Sequence, residues 1–212
     1  YNEEGNVERL LKLINSILGK KEFVKFVLVD NGSTDNTLQN IKTHKLFQNS
    51  NIKLIEIKKN IGYGNGIIKG ISNTNSDFIA WCHADLQTTP LDVVNAFENN
   101  LENLKKGKKV LKGKRINRNL FDQFFTIGMS FFASLVFGKK LSDINAQPKI
   151  FPKEFMKLMN NPPDDFSLDV YFLVLAFQNK YQILTHKVSW NERLSGEAKG
   201  GGSLKAKLNL VI

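Results

Sequence analysis

Three side chains able to ligate a cation, His83, Asp85 and Gln87, occupy alternate positions between the apolar run Phe78 to Cys82 and the stretch Thr89-Pro90-Leu91-Asp92. The apolar run reads as a buried strand. Thr89, Pro90 and Asp92 supply an N-cap, a first-turn proline and an acidic third helical position. The trio therefore falls on a strand-to-helix loop. In an extended segment alternate residues share one side, so all three could face one ligand while Ala84 and Leu86 pack behind them. A carboxylate, an amide oxygen and an imidazole can hold a divalent ion such as magnesium or manganese, the imidazole favouring softer ions. A polar loop that merely caps a helix would use the same residues.

Two other loops carry chemistry of the same kind. Asp30 ends the run Phe23 to Val29 and is followed by Asn31-Gly32-Ser33, a tight polar turn where a base or ribose could exchange hydrogen bonds. Asn60 to Gly66 holds glycines at 62, 64 and 66 with Lys69 one turn beyond, which would let a ligand approach the backbone. It is not a Walker loop, because no Gly-Lys-Ser/Thr follows, and its spacing is wrong for a dinucleotide fingerprint. His44 and His186 have no partner in sequence, and Cys82, the only cysteine, excludes an internal disulfide and a cysteine zinc cluster.

The elements that must position these loops alternate in the first half. Leu10, Leu11, Ile14, Ile17 and Leu18 share a helical face; the Phe23 strand, a helix seeded at Ser33 to Asp35, the strand Ile52 to Ile57, a helix to Ser72 and the strand Phe78 to Cys82 follow. This order predicts an α/β fold with a mostly parallel sheet and helices on both faces, so that Asp30, Asn60 and His83 to Gln87 gather beyond one sheet edge. Further on, Phe121, Phe124, Phe125, Phe131, Phe132, Leu135 and Val136 follow a helical period closed by Gly138. Such a stripe is either core or a surface helix whose phenylalanines meet lipid. Pro152 begins a short helix, Leu168 to Phe177 another, and Tyr181 to Trp190 alternates like an edge strand.

The chain has 212 residues, 42% hydrophobic, enough for one sizeable core. Its formal charge of +10 lies in the second half: residues 1–104 carry 11 basic and 12 acidic side chains, residues 105–212 carry 19 and 8. Eight basic and no acidic residues between Lys105 and Arg118 suggest a polyanionic partner, phosphates or an anionic membrane surface. Nucleic acid is disfavoured because that run lacks interleaved aromatics. Phe124 to Phe137 is too short to span a bilayer.

Five ordered segments resemble family 2 glycosyltransferases, above all those acting on dolichyl and other polyprenyl phosphates. They are Tyr1-Asn-Glu-Glu4, Val29 to Asp35, Asn60 to Gly64, Ala84-Asp-Leu-Gln87 and Arg193 to Lys199. The resemblance implies a GT-A fold over residues 1–212 as one domain, with a strand expected ahead of Tyr1, and a nucleotide-sugar donor with a divalent metal. It implies nucleoside recognition by Tyr1, Glu3 and Asp30 and extends the donor site to Asn2, Asn31, Gly32, Asn60, Gly64, Lys69 and Ala84. Metal binding falls to Asp85 and Gln87, where His83 replaces the first acid of the usual Asp-x-Asp-x-Gln. Arg115, in Gly113-Lys-Arg115, resembles a phosphate-binding arginine, and Arg193 and Lys199 belong to a closing loop with glycines at 196 and 200–202. Asp143 and Lys149 match a further segment in which Gln147-Pro148 replaces the usual Gly-Phe.

The implied reaction is inverting hexosyl transfer to a polyprenyl phosphate, with peripheral contact at the cytoplasmic face of a membrane. A saccharide or protein acceptor would instead require a carboxylate base such as Asp143 or Asp169. A donor-binding domain of attenuated activity is the third reading.

Overall fold

The computed structural model describes residues 1–118 and 120–193; Lys199 and the rest of the expected closing loop after Arg193 lie outside them. Helix α1 (Val7–Leu18) precedes β1 (Phe26–Asn31), α2 (Thr37–Thr43) and β2 (Ile52–Ile57). Then come α3 (Tyr63–Ile71), β3 (Phe78–Trp81), α4 (Pro90–Leu104), β4 (Lys109–Ile116) and α5 (Leu120–Phe137). The order closes with β5 (Lys149–Pro152), α6 (Lys153–Met156), α7 (Leu168–Gln178) and β6 (Gln182–Ser189).

The expected α/β architecture is present, with one refinement. Strands β1 and β2 pair in parallel, as do β4 and β6, while β5 runs antiparallel between β3 and β4, giving the order β3-β5-β4-β6. Helices cover both faces because side chains alternate along each strand. Val110 and Phe151 face Phe155, Phe172 and Ala176, whereas the adjoining Leu111 and Ile150 face Ala96 and Leu104 of α4. Trp81, Phe151, Phe155 and Phe172 interlock with centroids 5.0–5.6 Å apart, a well-packed aromatic centre that ties β3 and β5 to α7. A smaller core joins Leu10, Leu11 and Ile14 of α1 to Ile41, Ile52 and Leu86.

Strand β1 pairs only with β2, and β3 only with β5, so each keeps one ladder edge open among the described residues. The two edges border one cavity of about 1240 Å³, lined by Phe26 to Val29 on one side and Phe78 to Trp81 on the other. In α5 the described members of the apolar stripe are not core. Phe124, Phe131 and Leu135 are 74, 66 and 67% exposed, so the surface-helix reading holds for them. No helix of the described residues is long and apolar enough to cross a membrane.

Candidate active site

The loop after β3 folds differently from the extended segment expected of it. Asp85 accepts the Gln87 backbone N–H on Oδ1 at 3.1 Å, closing a turn that puts Leu86 at φ +60°. Leu86 is therefore buried in the α1 core as expected, but Ala84 is exposed to the cavity rather than packed behind. Asp85 is 4% exposed, and its Oδ2 accepts from Arg193 Nη2 at 2.7 Å with His83 Nδ1 3.9 Å away. Gln87 donates its side-chain amide to the Asn191 carbonyl at 3.2 Å, leaving its amide oxygen for another partner. This stitches the segment after β6 onto the β3 loop and carries Arg193 to the cavity rim.

The expected donor residues are brought together at the end of β1. Asn2 bonds Ser33 and Thr34, and the Glu3 N–H donates to Thr37 Oγ1 at 2.7 Å, so the Tyr1 segment is sewn to the turn after Asp30. Glu3 also reaches Arg193 at 3.4 Å. Tyr1, Glu3, Asn31, Asn60, Ala84 and Asp85 all line the cavity. Asp30 is 3% exposed; one carboxylate oxygen takes the Ser33 N–H while the other has no hydrogen-bond partner, and neither has the Asn31 amide oxygen. Buried acceptors left empty are costly; of the two, Asn31 lines the cavity and is the one a ligand donor could complete, while Asp30 lies outside the lining. Gly32 has φ +70°, and a Cβ there would stand 2.5 Å from the Asn60 backbone nitrogen, so this glycine lets the two loops touch.

Two expected donor residues lie elsewhere. Gly64 sits inside α3, where a Cβ would meet the Pro163 carbonyl at 2.1 Å, so its close approach is to the protein's own backbone rather than to a ligand. Lys69 is exposed in the last turn of α3, away from the cavity lining. The helix begins at Tyr63, earlier than the glycine pattern suggests, and this carries both residues out of the loop.

Arg115 lies within β4 rather than after it, and its charge is engaged. Asp143 takes its backbone N–H at 2.7 Å and its Nε at 2.8 Å and also contacts Nη2, while the guanidinium lies 4.9 Å from the Trp190 ring centre. Burial raises the Asp143 carboxyl, but the Arg115 bonds outweigh it and hold the pKa below the usual range. Lys112, 4% exposed, is pushed down to about 8 by burial and by neighbouring Lys149. Burial lifts the Cys82 thiol to about 12, with Asp85 and Asp92 adding to it, so no thiolate forms near neutral pH.

Sequence reasoning missed Tyr63. Its hydroxyl meets His83 Nε2 at 3.1 Å, Asp169 Oδ2 at 3.1 Å and Gln147 Nε2 at 3.1 Å, and its ring stacks on Phe166 at 4.8 Å. Asp169 is itself ion-paired to Lys149 at 2.7 Å with both side chains buried. These partners lie 20 to 106 positions away, so no local motif could have joined them.

Loops from separate strand ends converge on one rim beyond helix-covered sheets, the place where α/β folds of this class bind ligands. The chain belongs to glycosyl transferase family 2, whose family model matches residues 1–166, and it is a glycosyltransferase. It is 24% identical over its whole length to a dolichyl-phosphate beta-glucosyltransferase of Trichomonas vaginalis, spanning 67% of that protein. Over 44% of the chain it is 28% identical to the undecaprenyl-phosphate 4-deoxy-4-formamido-L-arabinose transferase of Proteus mirabilis, covering 29% of that protein. Among solved structures, glucosyl-3-phosphoglycerate synthase of Mycobacterium tuberculosis superposes with TM-score 0.69 at 14% identity, over 92% of this chain and 69% of that one. A Pyrobaculum calidifontis mannosyltransferase bound to GDP-Man and Mn2+ gives TM-score 0.63 at 17% identity, over 95% and 56%.

Proposed function

We propose that this chain transfers a hexosyl group, with inversion, from a nucleoside-diphosphate sugar to a polyprenyl phosphate. The observation that carries the reading is the position of Arg115 between two cavities. On one side is the rim that holds Asp85 and Arg193; on the other is a groove of about 900 Å³ running from Lys114 and Arg118 to Ile127, Phe131 and Leu135. A phosphate head beside the basic end would leave an isoprenoid tail along the exposed apolar face, with Lys139 and Lys140 at its far end suited to an anionic membrane surface. The names of the two curated relatives, both lipid-phosphate transferases, point the same way.

The acceptor phosphate is already ionised near neutral pH, so its oxygen can attack the anomeric carbon without a strong base. The bond from that carbon to the diphosphate breaks, and its electron pair leaves with the nucleoside diphosphate. The chain positions the two phosphates and neutralises charge on the leaving group, through Arg193 and through Lys199 of the closing loop. Asp85, Gln87 and His83 would hold a divalent cation. Among the described residues no three histidine, cysteine or carboxylate side chains cluster there, so the oxygens of the donor diphosphate would have to complete the ligand set, as suits a hard divalent ion. When bound, the ion supplies further neutralisation of the leaving diphosphate. The carboxylates that a saccharide acceptor would need are committed elsewhere, Asp143 to Arg115 and Asp169 to Lys149, which weighs against that reading. Nucleotide sugars screened with Mn2+ for release of nucleoside diphosphate should respond to a short polyprenyl phosphate and not to soluble sugars; the reverse preference refutes the proposal.

We also propose that the open edges of β1 and β3 receive the strand that the resemblance sets ahead of Tyr1. Tyr1 lines that cavity, and its segment is sewn to the carboxyl end of β1, so a strand leading into it would run parallel to β1 between the two edges. With helices on both faces it should be a continuous Val/Ile run of about six residues. Prefixing such a run to residues 1–212 should raise Tm by about 10 °C over a charged prefix of equal length. Equal melting of the two would end the idea.

A further inference from the structure

His83 and Gln147, 64 positions apart in the sequence, meet at one hydroxyl, that of Tyr63. The proton positions there follow from counting donors. Lys149 donates to the carbonyls of Ile144 and Ala146 and to Asp169 Oδ1, three acceptors that use all three ammonium protons. Asp169 is thereby a carboxylate. It also takes Gln147 Nε2 on Oδ1 at 3.2 Å, so the NH2 end of that amide faces it and its second proton goes to the Tyr63 oxygen. Tyr63 gives its own proton to Asp169 Oδ2. Its remaining lone pair faces His83 Nε2 at 3.1 Å, a contact that only a protonated Nε2 can satisfy.

We infer that the Asp169–Tyr63–Gln147 cluster fixes His83 as the Nε2–H tautomer and so presents its bare Nδ1 as a cation ligand beside Asp85. The inference rests on the metal-dependent reading above. Nδ1 and Asp85 Oδ2 are 3.9 Å apart, too far for a hydrogen bond and close enough that a shift of about 0.5–1 Å would bring both onto one ion with ligand distances of about 2.1 Å. A neutral nitrogen donor beside a single carboxylate tilts the site from Mg2+ towards Mn2+. Tyr63, Gln147 and Asp169 are then positioning residues acting through His83. They orient a ligand ring as a carboxylate commonly orients a zinc-bound histidine, and losing such a partner costs about 10- to 100-fold in metal affinity.

The test is titration of the protein with Mn2+ alone, read by calorimetry and by pulsed electron paramagnetic resonance, which detects a directly bound imidazole nitrogen. Wild type should give a nitrogen coupling. His83→Ala should remove it, and His83→Asp should remove it while improving the Mg2+ to Mn2+ affinity ratio about tenfold. Tyr63→Phe, which keeps the ring stacked on Phe166, should weaken Mn2+ about tenfold when measured well below its melting point, which falls because Asp169 Oδ2 loses its donor. Mn2+ bound without nitrogen coupling, or unaffected by Tyr63→Phe, overturns this inference and leaves the metal-dependent reading standing. No Mn2+ binding at all, with or without UDP or GDP, overturns both.

Discussion

Two arginine–carboxylate junctions border the same cavity and differ in how far their charge is spent. Arg115 has a side chain 10% exposed, gives Asp143 both side-chain and backbone donors, and lies over Trp190. Arg193 is 21% exposed and holds Asp85 through one short contact, with Glu3 at 3.4 Å. The first is a buried fork that braces β4 against the loop before β5. The second is a half-open clasp between the segment after β6 and the metal-type loop. Identical side chains therefore sit in different settings: one fixes the wall between the two cavities, the other is held by fewer bonds at the rim.

That division can be broken directly. Asp85→Ala should lower transfer about a thousandfold, by removing the anchor for positive charge, with little change in melting. Asp143→Ala should do the opposite first: by stranding Arg115 it should cost about 3–5 kcal/mol of stability in denaturant unfolding. If the two variants exchange effects, the assignment of roles is wrong.

Lys112 sharpens the bracing side. Its folded pKa, about 8, lies below the ordinary 10.5, so the unfolded chain binds this proton more tightly. The burial penalty is full below pH 8 and fades as pH rises towards 10.5, so stability should rise across that window. The stability of Lys112→Met relative to wild type should therefore fall by about 3 kcal/mol as pH rises from 8 to 10.5, from an offset set by loss of the Nζ bonds to the Gly113 and Asp143 carbonyls. On the acceptor side the expected effect is smaller. Phe131→Ser should reduce turnover of a long polyprenyl phosphate about tenfold more than that of a two-isoprene analogue, because it removes apolar contact without touching the rim. Equal losses on both lipids would detach α5 from the tail.

The sequence made the order of elements in the first half readable, because helical and alternating periods there are short and cleanly separated by turn residues, but not their pairing, since β3 joins β5 rather than β1 or β2. It also placed Asp30, Asn60 and Asp85 at strand ends, as found. It could not place Gly64 or Lys69, since a helix that starts one residue after Gly62 looks in sequence like a glycine loop. Nor could it tell a core stripe from a surface one in α5, because a helical period records that a face is apolar and not what covers it. The polar cluster around Tyr63 was the least readable. Its members act through single long-range hydrogen bonds, and each looks ordinary among its own neighbours.

The Arg193 clasp implies that the site is self-countered at rest. On the proposed reading a divalent ion would compete with the protein's own guanidinium for Asp85, and a diphosphate would offer that guanidinium a second home. Each visitor thus lowers the cost of admitting the other, and by reciprocity the factor by which diphosphate tightens the ion equals the factor by which the ion tightens diphosphate.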